Sequence, residues 1–163
     1  FFAFTGLPQS MLDVGCGQWG HMPQVAARLG IDSVGIDLAL PETYSGEGFQ
    51  LLKATLTKPI DLQRQFDLVI SWEVAEHLPL ESSDTFLETI SRHAKDLLVF
   101  TAAIPGQGGD GHINCQSHDW WRRKIQRLGF SYKQEETEML RQIWTEVTQL
   151  CIWYPQNVQI FRR

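Results

Sequence analysis

Apolar positions follow two patterns along the chain: short continuous runs, and longer stretches in which they recur every three or four residues. The continuous runs predict β-strands at residues 11–14, 33–37, 49–54, 66–71 and 97–101. The helical spacing predicts helices at residues 23–30, 83–94, 117–128 and 136–147, with further strands near Phe130 and at 158–161. Ser82 or Ser83 and Ser117 are the expected N-caps of two helices. Residues 41–48 and 104–115, which are polar or rich in glycine, are predicted to be loops.

Strands that alternate with helices indicate an α/β domain with a doubly wound, mostly parallel sheet that has helices on both faces. The chain of 163 residues is expected to form a single domain over residues 1–163. It opens with Phe1 rather than methionine, so we expect a minimal or N-terminally shortened domain. Phe1, Phe2 and Phe4 are then expected to be the remnant of a lid over a substrate, or a contact for a partner chain.

Composition narrows the classes of partner. The formal charge of -5, from 14 basic and 19 acidic residues, disfavours a nucleic acid as partner. No apolar run approaches the roughly 20 residues of a membrane span. The three cysteines form no CxxC pair, which favours a reducing, cytoplasmic location over a disulfide framework.

A glycine-rich turn stands between the first predicted strand and the first long helix. Gly15, Gly17 and Gly20 would let the backbone approach a ligand closely, and Asp37 ends the next strand, where a carboxylate can accept hydrogen bonds from ribose hydroxyls. Asp13 would repel a pyrophosphate and favours a ligand that carries an ammonium group, unless it only caps the turn. A nicotinamide or nucleotide-sugar enzyme is the rival interpretation of this pattern.

Two stretches of the chain carry a family resemblance. The segment from Leu12 to Gly17 resembles the first motif of class I S-adenosylmethionine-dependent methyltransferases, and residues 66–78 resemble the motif after the fourth strand in their small-molecule and sugar-methylating subfamilies. The resemblance extends from Met11 to Arg163. It implies a Rossmann-like methyltransferase fold with seven strands, S-adenosylmethionine as cofactor, and methyl transfer as the activity.

The resemblance also implies roles for individual residues around the cofactor. Gly15, Cys16 and Gly17 would wrap its methionine portion, with Asp13 near the amino group. The remaining contacts would come from the ends of later strands: Asp37 to the ribose hydroxyls, Thr55 and Leu56 to the adenine, and Ser71 to the methionine end.

Two positions depart from the family pattern. Trp19 stands where the family often has glycine, and it would pack either over the cofactor or into the core. Thr55 stands where an acidic residue is common, and a hydroxyl accepts from the adenine amino group without charge assistance.

Methyl transfer to an oxygen requires a group that removes a proton. His112, in the glycine-rich loop after the fifth strand, is the first choice as general base because an imidazole titrates near neutral pH. His77 is the second choice, although a histidine next to Glu76 at a helix start could equally brace the fold. His118 is expected to cap a helix or lie on the surface.

A divalent-metal site is the alternative use of the same residues. Glu73, Glu76, His77 and His112 have the ligand types of such a site. The pattern is similar to that of metal-dependent O-methyltransferases of ubiquinone biosynthesis and of small-RNA ends, where a metal would lower the pKa of a diol hydroxyl.

The acceptor is the least defined partner. One of Trp120 and Trp121 is expected to pack on the sheet, which leaves the other for stacking on a planar or sugar ring. The basic residues of the same helix, from Arg122 to Arg127, are expected to form a solvated face. The predicted function is O-methylation of a small hydroxylated or sugar-type acceptor, the alternative being a domain that binds the cofactor without catalysis or serves as a partner module.

Overall fold

Strands and helices alternate along the chain in a computed structural model, which describes residues 1–147 and 151–163. The strands are β1 (Ser10–Val14), β2 (Asp32–Asp37), β3 (Tyr44–Gly46), β4 (Phe49–Lys53), β5 (Phe66–Trp72), β6 (Ala94–Thr101), β7 (Ser131–Tyr132) and β8 (Gln159–Arg162). The helices are α1 (Phe2–Thr5), α2 (His21–Arg28), α3 (Ser83–His93), α4 (His118–Arg127), α5 (Gln134–Val147) and α6 (Trp153–Asn157). Short 3₁₀ helices lie at Ala75–His77 and Leu80–Ser82.

The described strands form one sheet in the order β3-β4-β2-β1-β5-β6-β8-β7. The five central strands, from β4 to β6, are parallel, whereas β3, β7 and β8 add antiparallel pairs at the two edges. The chain runs outward from β1 through β2 to β4 and then returns to β5 on the other side of β1. The carboxyl ends of β1 and β5 therefore flank a topological switch point, where open α/β sheets bind their ligands.

Both faces of the sheet are covered, as predicted. Neighbouring residues of β5 point to opposite sides: Val69 packs with α3 and α4, and Ile70 packs with α2 and α5. Such two-sided burial explains why the parallel strands are continuous apolar runs. The doubly wound, mostly parallel sheet is confirmed, with an eighth strand beyond the seven that were expected.

That eighth strand is β3, in a polar segment predicted to be a loop. It pairs with β4 at the sheet edge and all its residues are exposed, so it lacks the apolar signal of a buried strand. The short helices α1 and α6 were also missed. Phe1 packs edge-on against Trp72 with the ring centroids 5.0 Å apart, and Phe1, Phe2 and Phe4 are partly buried against the core on this face of the sheet.

The two predicted helix caps have different outcomes. Ser117 caps α4 as predicted, because its Oγ accepts a hydrogen bond from the Trp120 amide. The prediction of a serine cap on α3 is wrong, because Ser82 at the N-cap position makes no capping bond and donates its hydroxyl to the Pro79 carbonyl instead. No helix in the described part of the chain is long and apolar enough to cross a membrane.

Candidate functional site

The glycine turn after β1 is fixed by the neighbouring strand. The amides of Gly15 and Cys16 both donate to the Ile36 carbonyl, at 2.8 and 3.1 Å. Gly15 has φ +93°, and a Cβ at this position would lie 2.2 Å from a methyl group of Val74. Gly17 has φ +71° but faces open space. Gly15 is therefore required by both packing and backbone conformation, and Gly17 by its conformation alone.

Asp37, at the end of β2, ties the turn to the next strand. Its Oδ2 accepts a hydrogen bond from the Gly17 amide at 2.8 Å, and its Oδ1 accepts one from the Ala39 amide at 2.7 Å. Both oxygens keep a further lone pair, so the carboxylate can still accept from a ligand.

Asp13 is buried directly before this turn, and Cys16, within the turn, is half-buried. Asp13 is 5% exposed, and burial together with the charge of Asp37 raises the pKa of its carboxyl to about 8. Burial and the same two carboxylates raise the pKa of the Cys16 thiol far above its usual range. The thiol is thus not a nucleophile at neutral pH.

A cavity of about 470 Å³, here called the glycine-turn cavity, opens beside these residues. Of the predicted cofactor residues, Gly15, Gly17, Asp37, Thr55 and Leu56 line it. The Thr55 hydroxyl also hydrogen-bonds the Thr57 hydroxyl at 2.9 Å.

Three predicted cofactor residues are not among those that line the glycine-turn cavity: Asp13, Cys16 and Ser71. The hydroxyl of Ser71 is buried and donates to the Val14 carbonyl at 2.7 Å, which links β5 to β1. Trp19 is 60% exposed and is therefore not a core residue.

A second cavity, of about 440 Å³, holds both histidines proposed for catalysis and is here called the histidine cavity. Its walls come from the end of β5, from the loop after β6 and from α6: Glu73, His77, Gln107, Gly108, Gly109, Asp110, His112, Ile152, Trp153 and Gln156. Glu73 and His77 line both cavities. The two spaces therefore share a wall at the switch point of the sheet.

His112 is oriented by its own loop. Its Nδ1 lies 3.2 Å from the Gln107 carbonyl, which can only accept, so we assign the proton of the neutral ring to Nδ1. Nε2 is then the basic nitrogen. The imidazole of His77 stands perpendicular to that of His112, with the ring centroids 4.8 Å apart.

Glu73 occupies a strained position at the junction of the two cavities. Its φ of +53° is unusual for a residue with a side chain, and its amide donates to the Thr101 hydroxyl at 2.8 Å. The carboxylate accepts from Nδ2 of Asn157, 3.1 Å from each oxygen. Burial, reinforced by the charge of Glu76, raises the pKa of Glu73 to about 7. Backbone strain and a raised pKa in a cleft are typical of functional sites.

Glu76 is fully buried beneath the histidines. Its Oε1 accepts from the Ala103 amide at 3.1 Å, whereas Oε2 has no hydrogen-bond partner among the described residues. Burial raises the pKa of Glu76, and the neighbouring His112 opposes this shift.

One oxygen of Glu76 and one ring nitrogen each of His77 and His112 lie within 4.8 Å of one another. Opposed ligands of one Mg²⁺ ion are about 4.2 Å apart, so the three groups need only a small inward movement to share an ion. The under-satisfied oxygen of Glu76 gives such an ion a ligand that is already desolvated. The residues therefore fit a divalent cation.

Asn157 and Trp153 are site residues that sequence reasoning missed. Asn157 is fully buried and joins Glu73 to the loop after β6, because its Nδ2 also donates to Oε1 of Gln107 at 3.0 Å. Neither residue belongs to a motif, and the helix that carries them was not predicted. Only the return of the chain toward β8 brings them to the switch point.

Other predicted candidates lie outside both cavities. Trp121 is fully buried against Phe100, and Trp120 stands edge-on to it with Lys124 over its ring. Neither tryptophan lines a cavity at the switch point. His118 is half-buried at the start of α4, and burial lowers the pKa of its imidazole.

Comparisons with known proteins agree with this geometry. A family model described as a methyltransferase domain matches residues 1–155. No sequence among the curated proteins matches significantly.

Several solved structures share the fold at low sequence identity. Magnesium protoporphyrin IX methyltransferase from Synechocystis PCC 6803, with bound SAH, is 20% identical with a TM-score of 0.62, covering 81% of this chain and 69% of that one. An O-methyltransferase from a trans-AT PKS multienzyme of Brevibacillus brevis, in complex with S-adenosyl-L-homocysteine, is 12% identical with a TM-score of 0.62, covering 95% and 66%. A small RNA methyltransferase is 13% identical with a TM-score of 0.64, covering 99% of this chain and 24% of that one.

Proposed function

The chain belongs to the methyltransferase-domain family, and on that premise we propose that it transfers a methyl group from S-adenosylmethionine to a hydroxyl oxygen of a small acceptor. The observation that carries the proposal is the pair of cavities that share Glu73 and His77. One cavity is built on a glycine turn with a ribose-type carboxylate, and the other contains an imidazole with a basic Nε2. A donor and an acceptor bound in adjoining cavities would meet at the shared wall.

The glycine-turn cavity has the chemistry to hold the cofactor. Gly15 and Gly17 leave its wall free of side chains, and Asp37 would accept from the two ribose hydroxyls while holding the Gly17 amide. Thr55 and Leu56 would contact the adenine, as the resemblance implies. Their neighbours support the proposal, because the cavity wall continues into the apolar side chains of Leu38 and Val74.

The residues behind the cavity wall would act indirectly. A cationic ammonium group near Asp13 would offset the cost of ionising its buried carboxyl. Cys16 would contribute its backbone to the turn. Ser71 would contribute its carbonyl at the end of β5, since its hydroxyl already holds β1.

In the proposed mechanism His112 removes the acceptor proton. When bound, S-adenosylmethionine supplies a methyl group activated by a sulfonium. The Gln107 carbonyl holds Nδ1–H of His112, which directs Nε2 to take the proton from the acceptor hydroxyl. The imidazolium that results is stabilised by the nearby carboxylate of Glu76, and His77 helps to position the ring of His112.

Calorimetry with S-adenosylmethionine and with S-adenosylhomocysteine tests the cofactor assignment. We expect saturable binding of both, and absence of binding would overturn the proposal. Binding of a nicotinamide or sugar nucleotide instead would favour the rival enzyme class. A screen of hydroxylated acceptors for S-adenosylhomocysteine release then tests catalysis, and cofactor binding without turnover on any acceptor would favour the non-catalytic domain.

Metal-assisted O-methylation is the second candidate function, favoured by one observation. One ligand atom each from Glu76, His77 and His112 lie within 4.8 Å of one another, and Oε2 of Glu76 has no hydrogen-bond partner in the described part of the chain. A divalent cation held there, with Glu73 beside it, would lower the pKa of a hydroxyl in a vicinal diol or at an RNA end. The net charge of -5 supports a small diol over an RNA.

Titration with Mg²⁺ and Mn²⁺ separates the two candidates. Binding at micromolar concentration that is lost in Glu76→Gln, together with activity that a chelator abolishes and Mg²⁺ restores, would establish the metal-assisted function. Activity that persists in chelator would leave His112 as the base that acts alone.

A further inference from the structure

The histidine cavity has a polar floor and an apolar rim. Glu73, His77 and His112 form the floor, where the reaction is proposed to occur. Trp153 and Ile152 also line the cavity, and they remain 39% and 68% exposed. A large indole that stays exposed at the mouth of a reaction cavity offers a flat apolar surface to whatever enters.

The charges around this cavity have one sign. Glu73 and Asp110 contribute carboxylates, and no lysine or arginine is among the described residues that line either cavity. Two basic residues of α4 are paired elsewhere, Arg122 with Asp119 and Lys124 with Asp84. A negatively charged acceptor would therefore meet like charge without a compensating cation.

We propose that the acceptor is a ring compound without negative charge that stacks its apolar face on Trp153 while its hydroxyl reaches His112. This inference rests on the proposed methyl transfer and specifies the substrate class of the same site. Both an aromatic ring and the C–H face of a sugar present the required surface. An added positive charge is tolerated, because it would lie near Asp110 and over an indole face.

Matched pairs of ligands test the charge requirement. The protein is saturated with S-adenosylhomocysteine in the presence of a chelator, and dissociation constants are measured by NMR titration. One pair is 4-ethylphenol and 4-hydroxyphenylacetate, and the other is methyl β-glucoside and methyl β-glucuronide. In at least one pair we expect the uncharged member to bind about tenfold more tightly than the carboxylate. The pair that shows this difference distinguishes an aromatic from a sugar-type acceptor.

Variants test the wall and the charge separately. Trp153→Ala is expected to lower the affinity for the uncharged ligand about fivefold to tenfold, whereas Trp153→Phe keeps most of that affinity. Asp110→Asn is expected to improve binding of the carboxylate member and so narrow the difference within the pair. If Trp153→Ala does not fold, broadening or shift of the Trp153 indole resonance in the wild type on ligand addition gives the same information.

Three results would overturn the proposal: a carboxylate that binds as tightly as its uncharged partner in both pairs, absence of binding by all four ligands at millimolar concentration, or unchanged affinity in a folded Trp153→Ala. Each of these is distinct from failure of the proposed function, which would appear earlier as absence of S-adenosylhomocysteine binding.

Discussion

The two cavities at the switch point are built in opposite ways. The glycine-turn cavity is built around the backbone of the turn after β1, where Asp37 holds the Gly17 amide, and segments after β4 and β5 complete its wall. The histidine cavity is formed by side chains from three separate parts of the chain, with Asn157 bonded to Glu73 and Gln107. The first cavity therefore depends on backbone conformation, whereas the second depends on how distant elements pack. This difference predicts which substitutions abolish binding and which affect only turnover.

The largest effect is expected from Gly15→Ala. A Cβ here would lie 2.2 Å from Val74 in a backbone conformation that alanine disfavours, so the turn must move. We expect S-adenosylhomocysteine affinity to fall more than about 100-fold, measured by calorimetry, with a lower melting temperature. Gly17→Ala is the matched control, because Gly17 also has a positive φ but has open space where a Cβ would lie. It should lose less cofactor affinity and less thermal stability than Gly15→Ala. Equal losses in the two variants would contradict the packing explanation.

In the histidine cavity, His112→Ala should lower the rate of catalysis without changing the affinity for the cofactor. Loss of a general base lowers kcat by roughly 10² to 10⁴. His112 does not line the glycine-turn cavity, so S-adenosylhomocysteine affinity should stay within about twofold. A large loss of cofactor affinity would show that the two cavities are not separable in this way.

A smaller effect is expected from Asn157→Ala, which removes the donor to Glu73. The Asn157 hydrogen bonds lower the pKa of Glu73, so their loss should raise that pKa above about 7. Ionised Glu73, which lines the cavity beside His112, would add to the stabilisation of the imidazolium formed there. We therefore expect kcat/KM at neutral pH to fall about tenfold, with the acid limb of its pH profile displaced to higher pH.

Thr137→Val is the control for this variant. Thr137 is also buried and bonds the Ile160 amide of β8, but it does not contact Glu73. Its pH profile should match the wild type even if its stability is lower. A similar displacement of the pH profile in Thr137→Val would show that loosening β8 is enough to shift the profile. That result would contradict the positioning role of Asn157.

The smallest effect concerns the stability of the glycine-turn side. Asp13 ionises near pH 4 in the unfolded chain but near pH 8 when folded, so the folded state binds more protons between these values. Its contribution to the free energy of unfolding therefore decreases as pH rises from about 4 to 8. Asp13→Asn should flatten this part of the profile. Between pH 5 and pH 8 the free energy of unfolding of the wild type should fall by at least about 1 kcal/mol more than that of the variant.

Asp61→Asn provides the opposite case. A hydrogen bond from the Gln63 amide, with help from Arg92, lowers the pKa of the exposed Asp61 carboxyl. The contribution of Asp61 to the free energy of unfolding is present above about pH 4 and is lost as pH falls through its lowered pKa. Asp61→Asn should therefore lower stability by a constant amount from about pH 5 to 8, without the decline toward pH 8 that is assigned to Asp13. Urea unfolding across pH 4 to 8 measures both variants, and a wild-type profile that does not decline toward pH 8 would contradict the assignment to Asp13.

The sequence pattern predicted the elements whose signal is local. The apolar run of β5 is buried on both faces, and Ser117 caps α4 through its neighbour Trp120, so each could be identified from adjacent residues. The exposed strand β3 has no such signal, because its pairing with β4 requires no apolar residue. The same holds for α6, which is a single short turn followed by β8.

The sequence by itself determined the α/β fold and the positions of the glycine turn, Asp37 and the two histidines of the histidine cavity, since each depends on local spacing or on a strand end. Only the tertiary structure decided that Asn157 holds Glu73, that Trp153 forms the rim of the histidine cavity and that Trp120 does not line it. The physical reason is that side chains far apart in sequence meet only when the strands and helices assemble around the switch point. Their partners are then set by packing, which no local pattern records.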